Sequence, residues 1–353
     1  MRALTVTPLQ ANSAQLEDFD DPKPERGSVL VQAVALGVCG TDREIVAGEY
    51  GAPPPGHKRL ILGHESLGRV VSAPPGSGFT SGDLVVGIVR MPDPVPCPNC
   101  AVGEWDMCRN GQYTEHGIKE LDGFGAESYR LEPDRLVKVP RELGEHGVLL
   151  EPASVVAKAW EQTEHIGQRA RWKPRRVLIT GAGPIGLLAA LLARQRELEL
   201  HVFDRETTGP KPDLVRDLGG LYHSGSLDDL PRDFDVVIEC TGAAPVVTGV
   251  IELAAADGIV CLAGVSGPGH DLEVDVGLLN RRLVLGNRVI FGSVNANRRH
   301  YEAGAAALAR ADAKWLARLI TRRVPLANWA EALEAKPGDV KTVIAFQPAG
   351  RAA

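Results

Sequence analysis

The glycine-rich segment G-A-G-P-I-G at 181–186 constrains the fold of this chain more than any other feature. It directly follows the apolar run Val177–Thr180 and leads into the Leu- and Ala-rich stretch Ile185–Arg196. A strand, a G-x-G-x-x-G turn and a helix in this order are typical of a dinucleotide-binding sheet. The three glycines allow a tight turn, close approach of the backbone to a pyrophosphate, and close packing of helix on strand. The predicted cofactor-binding residues here are Gly181, Gly183, Pro184, Ile185 and Gly186.

The chain around this turn alternates between apolar runs and helical stretches. The predicted strands are Val177–Thr180, Leu200–Asp204, Val236–Cys240, Ile259–Ala263 and Val289–Ser293, and the predicted helices between them are Ile185–Arg196 and Val246–Ala256. Strands and helices that alternate with short connections predict a doubly wound parallel sheet, an α/β architecture.

An acidic residue, Asp204, ends the second predicted strand. A carboxylate there accepts hydrogen bonds from the adenosine ribose and repels a 2′-phosphate, so the sequence favours NAD over NADP. Arg205 follows and offsets part of that repulsion. Thr241, after the third strand, is also assigned to the cofactor site. The alternative is a glycine-rich turn without a nucleotide, but strand, glycines, helix and terminal acid coincide here.

Residues 1–150 differ in composition and pattern: they are rich in Gly and Pro and contain short β-type runs such as Ser28–Leu36 and Leu84–Val89. This predicts an irregular, mostly β domain with long loops. Its candidate metal ligands are Cys39, His64, Glu65 and Glu151. Catalytic zinc takes three protein ligands from Cys, His and carboxylate and leaves one position open. Each residue alone is also compatible with a structural role, and spacing does not show that they meet.

The stretch C-P-N-C-A-V-G-E-W-D-M-C at 97–108 contains three further cysteines, Cys97, Cys100 and Cys108. Thiolates at this spacing in a loop without a core indicate a structural zinc ion. Tetrahedral zinc needs a fourth ligand. The candidates are Asp93, Asp106, Glu115 and His116, and a vestigial site is the alternative. Cys240 and Cys261 lie on predicted strands and are interpreted as core residues.

Charge and hydropathy exclude several classes of protein. With 39 Lys and Arg against 45 Asp and Glu, the net charge of -6 argues against a nucleic-acid partner. No segment reaches the length of a membrane span, and the amino terminus lacks the apolar core of a signal peptide. We therefore expect a cytoplasmic protein, in which the 6 cysteines do not form structural disulfides.

Five segments together resemble the medium-chain zinc dehydrogenase superfamily, and within it the archaeal-type glucose 1-dehydrogenases. These are C-G-T-D-R-E-I-V-A-G-E-Y-G at 39–51, L-I-L-G-H-E-S-L-G at 60–68, E-H-G-I-K-E-L-D-G-F at 115–124, L-E-P-A-S-V-V-A-K-A at 150–159 and F-G-S-V-N-A-N at 291–297. The resemblance covers essentially the whole chain. It implies a GroES-like catalytic domain at 1–155, completed by 298–353, and a Rossmann domain at 156–297. The sequence pattern of the tail itself predicts a helical segment at Tyr301–Ala313.

The resemblance also implies roles for individual residues. Cys39, His64 and Glu65 would hold a catalytic zinc, with Glu151 as a fourth ligand or a contact to water. Thr41 would lie beside the reacting oxygen and pass its proton toward solvent. Two further residues, Glu115 and Asn295, would contact sugar hydroxyls, with Asn295 also near the nicotinamide.

Two positions depart from the family pattern. Pro94 stands where the superfamily has its first structural cysteine, which puts in doubt the structural zinc of the loop that contains Cys97, Cys100 and Cys108. The second strand ends in F-D-R-E at 203–206, where the family often has basic residues suited to NADP.

The function implied is oxidation of an aldose, glucose or a close relative, at its anomeric carbon to the aldonolactone, with hydride transfer to NAD(P). A rival is the oxidation of another polyol, a cyclitol or a secondary alcohol on the same scaffold. A second rival is a nucleotide-binding redox sensor without catalysis. The superfamily further implies a homodimer or homotetramer formed through edge strands of the nucleotide domains.

Overall fold

The computed structural model describes residues 1–267 and 272–346. Contacts divide the chain into two compact units, one containing Met1–Ser154 with the residues from Asn295 onward, the other containing Val155–Val294. Residues 347–353 of the predicted completing segment lie outside the described residues. No helix in the described ranges is long and apolar enough to cross a bilayer.

In chain order the strands are β1 (Arg2–Val6), β2 (Gln15–Asp18), β3 (Val29–Val38), β4 (Leu60–Ile61), β5 (Glu65–Ser72), β6 (Leu84–Gly87), β7 (Arg90–Met91), β8 (Thr114–His116), β9 (Glu120–Leu121), β10 (Ser128–Leu131), β11 (Leu136–Lys138), β12 (Arg176–Thr180), β13 (Glu199–Phe203), β14 (Leu221–His223), β15 (Phe234–Glu239), β16 (Ala254–Leu262), β17 (Val289–Gly292), β18 (Ile320–Pro325) and β19 (Lys341–Ala345). The α-helices are α1 (Gly40–Ala47), α2 (Pro98–Ala101), α3 (Leu150–Gly167), α4 (Pro184–Arg194), α5 (Pro210–Asp217), α6 (Ala244–Leu253), α7 (Val276–Leu285), α8 (Arg298–Ala309), α9 (Ala313–Leu319) and α10 (Trp329–Leu333). Short 3-10 helices cover Pro24–Arg26, Trp105–Met107, Pro133–Arg135, Arg141–Leu149, Leu227–Asp229 and Leu326–Asn328.

The first unit is built on a sheet ordered β11-β6-β5-β3-β19-β18, with β10 also paired to β3. Inward side chains alternate along β3, where Val29, Val31 and Ala33 are buried. This period of two is that of a strand with one face on a core. Because β19 pairs antiparallel with β3, the end of the described chain lies beside the strand that leads to Cys39.

The second unit is a six-stranded parallel sheet ordered β14-β13-β12-β15-β16-β17. Numbered within the unit, this is the order 3-2-1-4-5-6 of a doubly wound dinucleotide-binding fold. The strand order reverses between β12 and β15, so the residues that follow these two strands lie at the topological switch point. The predicted fold class is confirmed in both parts.

Several predicted elements differ from the structure. The single helix expected at Tyr301–Ala313 is wrong: α8 ends at Ala309, and Asp312 caps a new helix by accepting a hydrogen bond from the Lys314 amide. The helix expected at Val246–Ala256 ends at Leu253, and the chain continues directly into β16. Helix α1 was not predicted, because Gly40, Thr41 and Asp42 are poor helix formers.

Candidate active site

Three of the predicted metal ligands converge at the junction of β3, α1 and β5. Cys39 follows β3 and caps α1, while His64 and Glu65 stand at the start of β5, which pairs antiparallel with β3. The Cys39 Sγ and His64 Nε2 atoms are 3.0 Å apart. One ligand atom from each of Cys39, His64 and Glu65 lies within 4.8 Å of the others. Sheet pairing thus joins residues 25 positions apart in the sequence.

Asp42, which the sequence did not single out, lies behind the histidine. Its Oδ2 accepts a hydrogen bond of 2.9 Å from the Cys39 amide, and its Oδ1 lies 3.4 Å from His64 Nδ1. Burial raises the pKa of Asp42, but the charge and hydrogen bond of His64 outweigh it, so the pKa lies below its ordinary value. A carboxylate on Nδ1 orients the ring so that Nε2 faces the metal position, as in many zinc sites.

Lys341 on β19 is a second residue missed by sequence reasoning. Its Nζ forms an ion pair with Glu65 Oε2 and donates a hydrogen bond of 3.1 Å to the Val38 carbonyl. Both partners are almost wholly buried. A buried carboxylate needs such a partner, since desolvation otherwise disfavours its charge. No sequence signal pointed to this lysine, because it lies 276 positions from Glu65 in the chain (341 − 65).

Glu151 is the second residue of α3 and is buried. Its carboxyl is influenced by the charges of Asp42, His64, Glu65 and Lys341. Burial raises the pKa of its carboxyl to about 7, with Glu65 and Asp42 adding to the rise and His64 and Lys341 opposing it. Among the described residues the compact ligand group nevertheless contains only the first three side chains. Thr41 is half-buried on the first turn of α1, two residues from Cys39.

The two predicted sugar contacts, Glu115 and Asn295, meet directly. Asn295 Nδ2 donates a hydrogen bond of 2.8 Å to Glu115 Oε1. Asn295 has a left-handed backbone with φ 61°, a conformation that asparagine tolerates better than most residues. Arg90 also contacts this carboxylate. The result is a buried polar cluster that suits a hydroxylated ligand.

The loop cysteines Cys97, Cys100 and Cys108 form a second group whose ligand atoms lie within 4.8 Å. Hydrogen bonds from the backbone amides of Arg109 and Cys100 lower the pKa of Cys97 to about 6. Of the four candidates for a further ligand, Asp93 is the one in contact with a thiol: its Oδ2 is 4.0 Å from Cys108 Sγ, and its side chain is buried.

The other three candidates are engaged elsewhere. Asp106 Oδ1 accepts from Asn297 Nδ2 at 2.8 Å, and Glu115 is held by Arg90. His116 Nδ1 lies 2.6 Å from the Asp122 carbonyl.

All six cysteines are free thiols, as expected. Cys261 is fully buried, whereas Cys240 follows β15 and is partly exposed, so the core interpretation holds only for the former.

In the second unit, the glycine turn joins β12 to α4 as predicted. Gly181 has φ +87°, and a Cβ on Gly186 would lie 1.7 Å from the Gly181 carbonyl oxygen. A Cβ on Gly183 would meet no atom within 4 Å, so the turn is open there. The first and third glycines are required by the fold, and the second leaves room for a ligand at the amino end of α4.

Asp204 lies just after β13 and faces this turn. Its Oδ2 accepts a hydrogen bond of 2.6 Å from the Ala182 amide, and Lys211 Nζ lies 3.7 Å from the same oxygen. Lys211 also pairs with Glu206 at 2.6 Å. Arg205 is exposed. The predicted ribose carboxylate is therefore at the turn, with a cation beside it that the sequence did not reveal.

Thr241 lies at the end of the neighbouring strand, held by the buried Glu239. The Glu239 carboxylate accepts from the Thr241 amide at 2.7 Å, from the Gly242 amide at 3.1 Å and from the Thr180 hydroxyl at 3.2 Å. These bonds fix the loop after β15 against the end of β12. Glu239 had no sequence signal beyond its place at a strand end.

Comparison with known proteins agrees with this architecture. Residues 25–141 match the model of the alcohol dehydrogenase GroES-like domain, and residues 144–346 match that of the glucose dehydrogenase C-terminus. Glucose 1-dehydrogenase 1 of Caldivirga maquilingensis is 42% identical over 99% of each chain. Glucose 1-dehydrogenase of Methanocella arvoryzae is 38% identical over 98% of this chain and 99% of that protein.

A solved structure of glucose dehydrogenase from Haloferax mediterranei, in complex with NADP, Zn and gluconolactone, is also similar. It superposes with a TM-score of 0.91 at 30% identity, covering 98% of this chain and 99% of that one. A GroES-like unit followed by a doubly wound parallel sheet defines an alcohol dehydrogenase-type enzyme of the medium-chain class. Within that class, the chain belongs to the glucose dehydrogenase family, and the resemblance stated from the sequence is confirmed.

Proposed function

We propose that this protein is a zinc-dependent, NAD(P)-linked glucose 1-dehydrogenase. It oxidises glucose or a closely related aldose at the anomeric carbon. That carbon gives up a hydride to the nicotinamide, the anomeric hydroxyl gives up its proton, and the products are the aldonolactone and NAD(P)H. The convergence of Cys39, His64 and Glu65 carries the proposal, and the names and ligands of the relatives support it.

The residues present fit a catalytic zinc. Sulfur, imidazole nitrogen and carboxylate oxygen are the donors of such sites, and a set of three leaves a position for substrate. Zinc bound there supplies a Lewis acid that favours ionisation of a hydroxyl near neutral pH. Glu151, buried next to the group, is proposed as a further ligand or a contact to water.

The protein's own side chains perform the remaining tasks. Asp42 holds the His64 ring, and Lys341 balances the charge of Glu65. We assign the Thr41 hydroxyl to passing the substrate proton toward solvent. Glu115 and Asn295 bind sugar hydroxyls, which orients the anomeric carbon and penalises ligands that leave these buried groups unpaired.

We propose that the two compact units are the catalytic and the nucleotide-binding domain, and that NAD is preferred over NADP. The support for NAD is Asp204 at the glycine turn, because a carboxylate there disfavours a 2′-phosphate. Lys211 moderates that repulsion, so NADP remains a weaker substrate. Kinetics with both nucleotides test this: a lower KM for NADP than for NAD contradicts it.

We further propose a structural zinc held by Cys97, Cys100, Cys108 and Asp93. The three thiols converge, and the buried Asp93 carboxylate faces one of them. A closed set of four ligands has no position for substrate and serves to fix the loop.

We also propose a homodimer or homotetramer formed through the edge of the nucleotide-binding sheet, in a cytoplasmic protein. β17 is one of the two edge strands of this sheet, and α7 nearby in sequence has no buried residue. Val276, Val284 and Leu285 of this helix are each more than 60% exposed. A surface helix with such apolar side chains is typical of an interface. Light scattering on the wild type and on Leu285→Glu tests this: the variant should shift toward monomer.

The substrate assignment is tested by Glu115→Gln. The variant should lose far more activity on aldoses than on simple alcohols, because only the former use the carboxylate. Equal losses on both kinds of substrate would contradict its role as a sugar ligand.

A further inference from the structure

Arg90 lies opposite Glu115 in the pairing of β7 with β8. Its guanidinium is almost wholly buried, and two of its nitrogens reach one carboxylate oxygen: Nε lies 3.0 Å and Nη2 2.9 Å from Glu115 Oε1. Hydrogen bonds between charged groups are about twice as strong as neutral ones.

All contacts of the Glu115 carboxylate in the described part of the chain fall on Oε1. That oxygen accepts hydrogen bonds from Arg90 Nε and from Asn295 Nδ2, the latter at 2.8 Å, while Arg90 Nη2 approaches it as the ion-pair contact. A carboxylate oxygen has about two lone-pair sites, so Oε1 is saturated. The accepting capacity that is left belongs to Oε2.

The guanidinium itself is fixed from two further sides. Its Nη1 donates a hydrogen bond of 3.2 Å to the Asp106 carbonyl, and its Cζ atom lies 3.8 Å from the centroid of the Tyr113 ring. Stacking and directed hydrogen bonds define the orientation of the fork, which a lysine ammonium does not reproduce. A second cation lies over the Tyr113 ring: Lys119 Nζ is 4.3 Å from the ring centroid and donates a hydrogen bond to the Gly111 carbonyl.

We propose that Arg90 is a positioning residue that determines substrate specificity. It occupies Oε1 of Glu115 and presents Oε2 as an oriented, charged acceptor for a sugar hydroxyl. The chain thereby selects polyhydroxylated substrates through an ion pair in which Glu115 contacts the sugar and Arg90 does not. This inference deepens the proposed glucose oxidation and rests on it.

The test is a double-mutant cycle on the zinc-loaded enzyme with glucose and saturating nucleotide. Arg90→Met should raise the KM for glucose by about tenfold to a hundredfold, the equivalent of one hydrogen bond to a charged group. In the Glu115→Gln background the same substitution should change KM by less than about threefold, since its target is gone. Arg90→Lys should recover part of the loss. Lys119→Gln is the matched control: its ammonium lies over the same ring and bonds the Gly111 carbonyl, and Lys119 meets Glu115 only through backbone hydrogen bonds that the substitution keeps. This variant should stay within about twofold of wild type.

The outcomes separate the two proposals. An equal rise in KM from Arg90→Met in both backgrounds, or a loss confined to kcat, overturns the positioning role while leaving glucose oxidation intact. If Arg90→Met does not fold, judged by its circular dichroism and zinc content, Arg90→Lys takes its place in the cycle. Its smaller rise in KM must then disappear in the Glu115→Gln background, and an equal rise in both backgrounds overturns the positioning role. A wild type that oxidises no aldose overturns the proposed function, and this inference with it.

Discussion

The Oδ1 atom of Asp42 lies 3.4 Å from His64 Nδ1, while Nε2 of the same ring lies 3.0 Å from the Cys39 thiol. One carboxylate therefore fixes the histidine and, through the Cys39 amide, also the start of α1. Removal of this carboxylate should loosen the metal site without removing a ligand.

We predict that Asp42→Asn lowers the affinity for the catalytic zinc by about tenfold to a hundredfold, as is typical when such a partner is lost. Competition with a chromogenic chelator measures this, and excess zinc should restore much of the activity. The control is Asp312→Asn, which alters a helix-capping carboxylate far in sequence from the metal ligands. Unchanged zinc affinity in Asp42→Asn would contradict the orienting role.

The two glycines of the nucleotide turn should respond differently to alanine. Gly186→Ala should destabilise the protein by about 1–3 kcal/mol or prevent folding, because its Cβ meets the Gly181 carbonyl oxygen. Gly183→Ala should keep the melting temperature but weaken nucleotide binding, since its Cβ meets no protein atom. Thermal melting and fluorescence titration with NAD separate the effects. Tight NAD binding by Gly183→Ala would argue against pyrophosphate contact at this turn.

Asp93→Ala should remove one equivalent of zinc per chain and lower the melting temperature, while the catalytic zinc stays bound. Elemental analysis of chelator-washed protein gives the count. The exposed carboxylate in Asp134→Ala serves as the comparison. If Cys100→Ser loses the ion and Asp93→Ala retains it, another group completes the site.

Burial lowers the pKa of His116 to about 4, from 6.5. Between these values the unfolded chain binds more protons than the folded one, so stability falls as the pH drops from 6.5 toward 4. The contribution lost is at most about 3 kcal/mol. His116→Gln should therefore show a shallower decline in melting temperature from about pH 7 to about pH 5 than wild type. His57→Gln, at an exposed position, should decline like wild type, and an equal slope in His116→Gln would refute the assignment.

Local patterns predicted five of the six strands of the second unit but missed β14, α5 and α7, and they predicted little of the secondary structure of the first unit. The turn at Gly181, with its strand and helix, is a short-range signal, so it could be located in the sequence within a few residues. Helix α1 could not, because its first residues are poor helix formers. The partners Asp42 and Lys341 could not either, because their importance arises from pairing between β3, β5 and β19. Arg90 and Glu239 were missed for the same reason: a charged residue on a strand gives no local sign that it will be buried against a distant partner.

The most direct test of the account is nucleotide reduction, followed by the absorbance of the reduced cofactor, with a panel of aldoses, polyols and alcohols. We predict rapid turnover of glucose or a close epimer, abolished by chelator and restored by zinc, and faster at low nucleotide with NAD than with NADP. If the protein oxidises another alcohol but no aldose, that result would agree with zinc-dependent oxidation and contradict the assignment of glucose as substrate. Full activity in chelator-stripped, zinc-free protein would contradict the metal site itself.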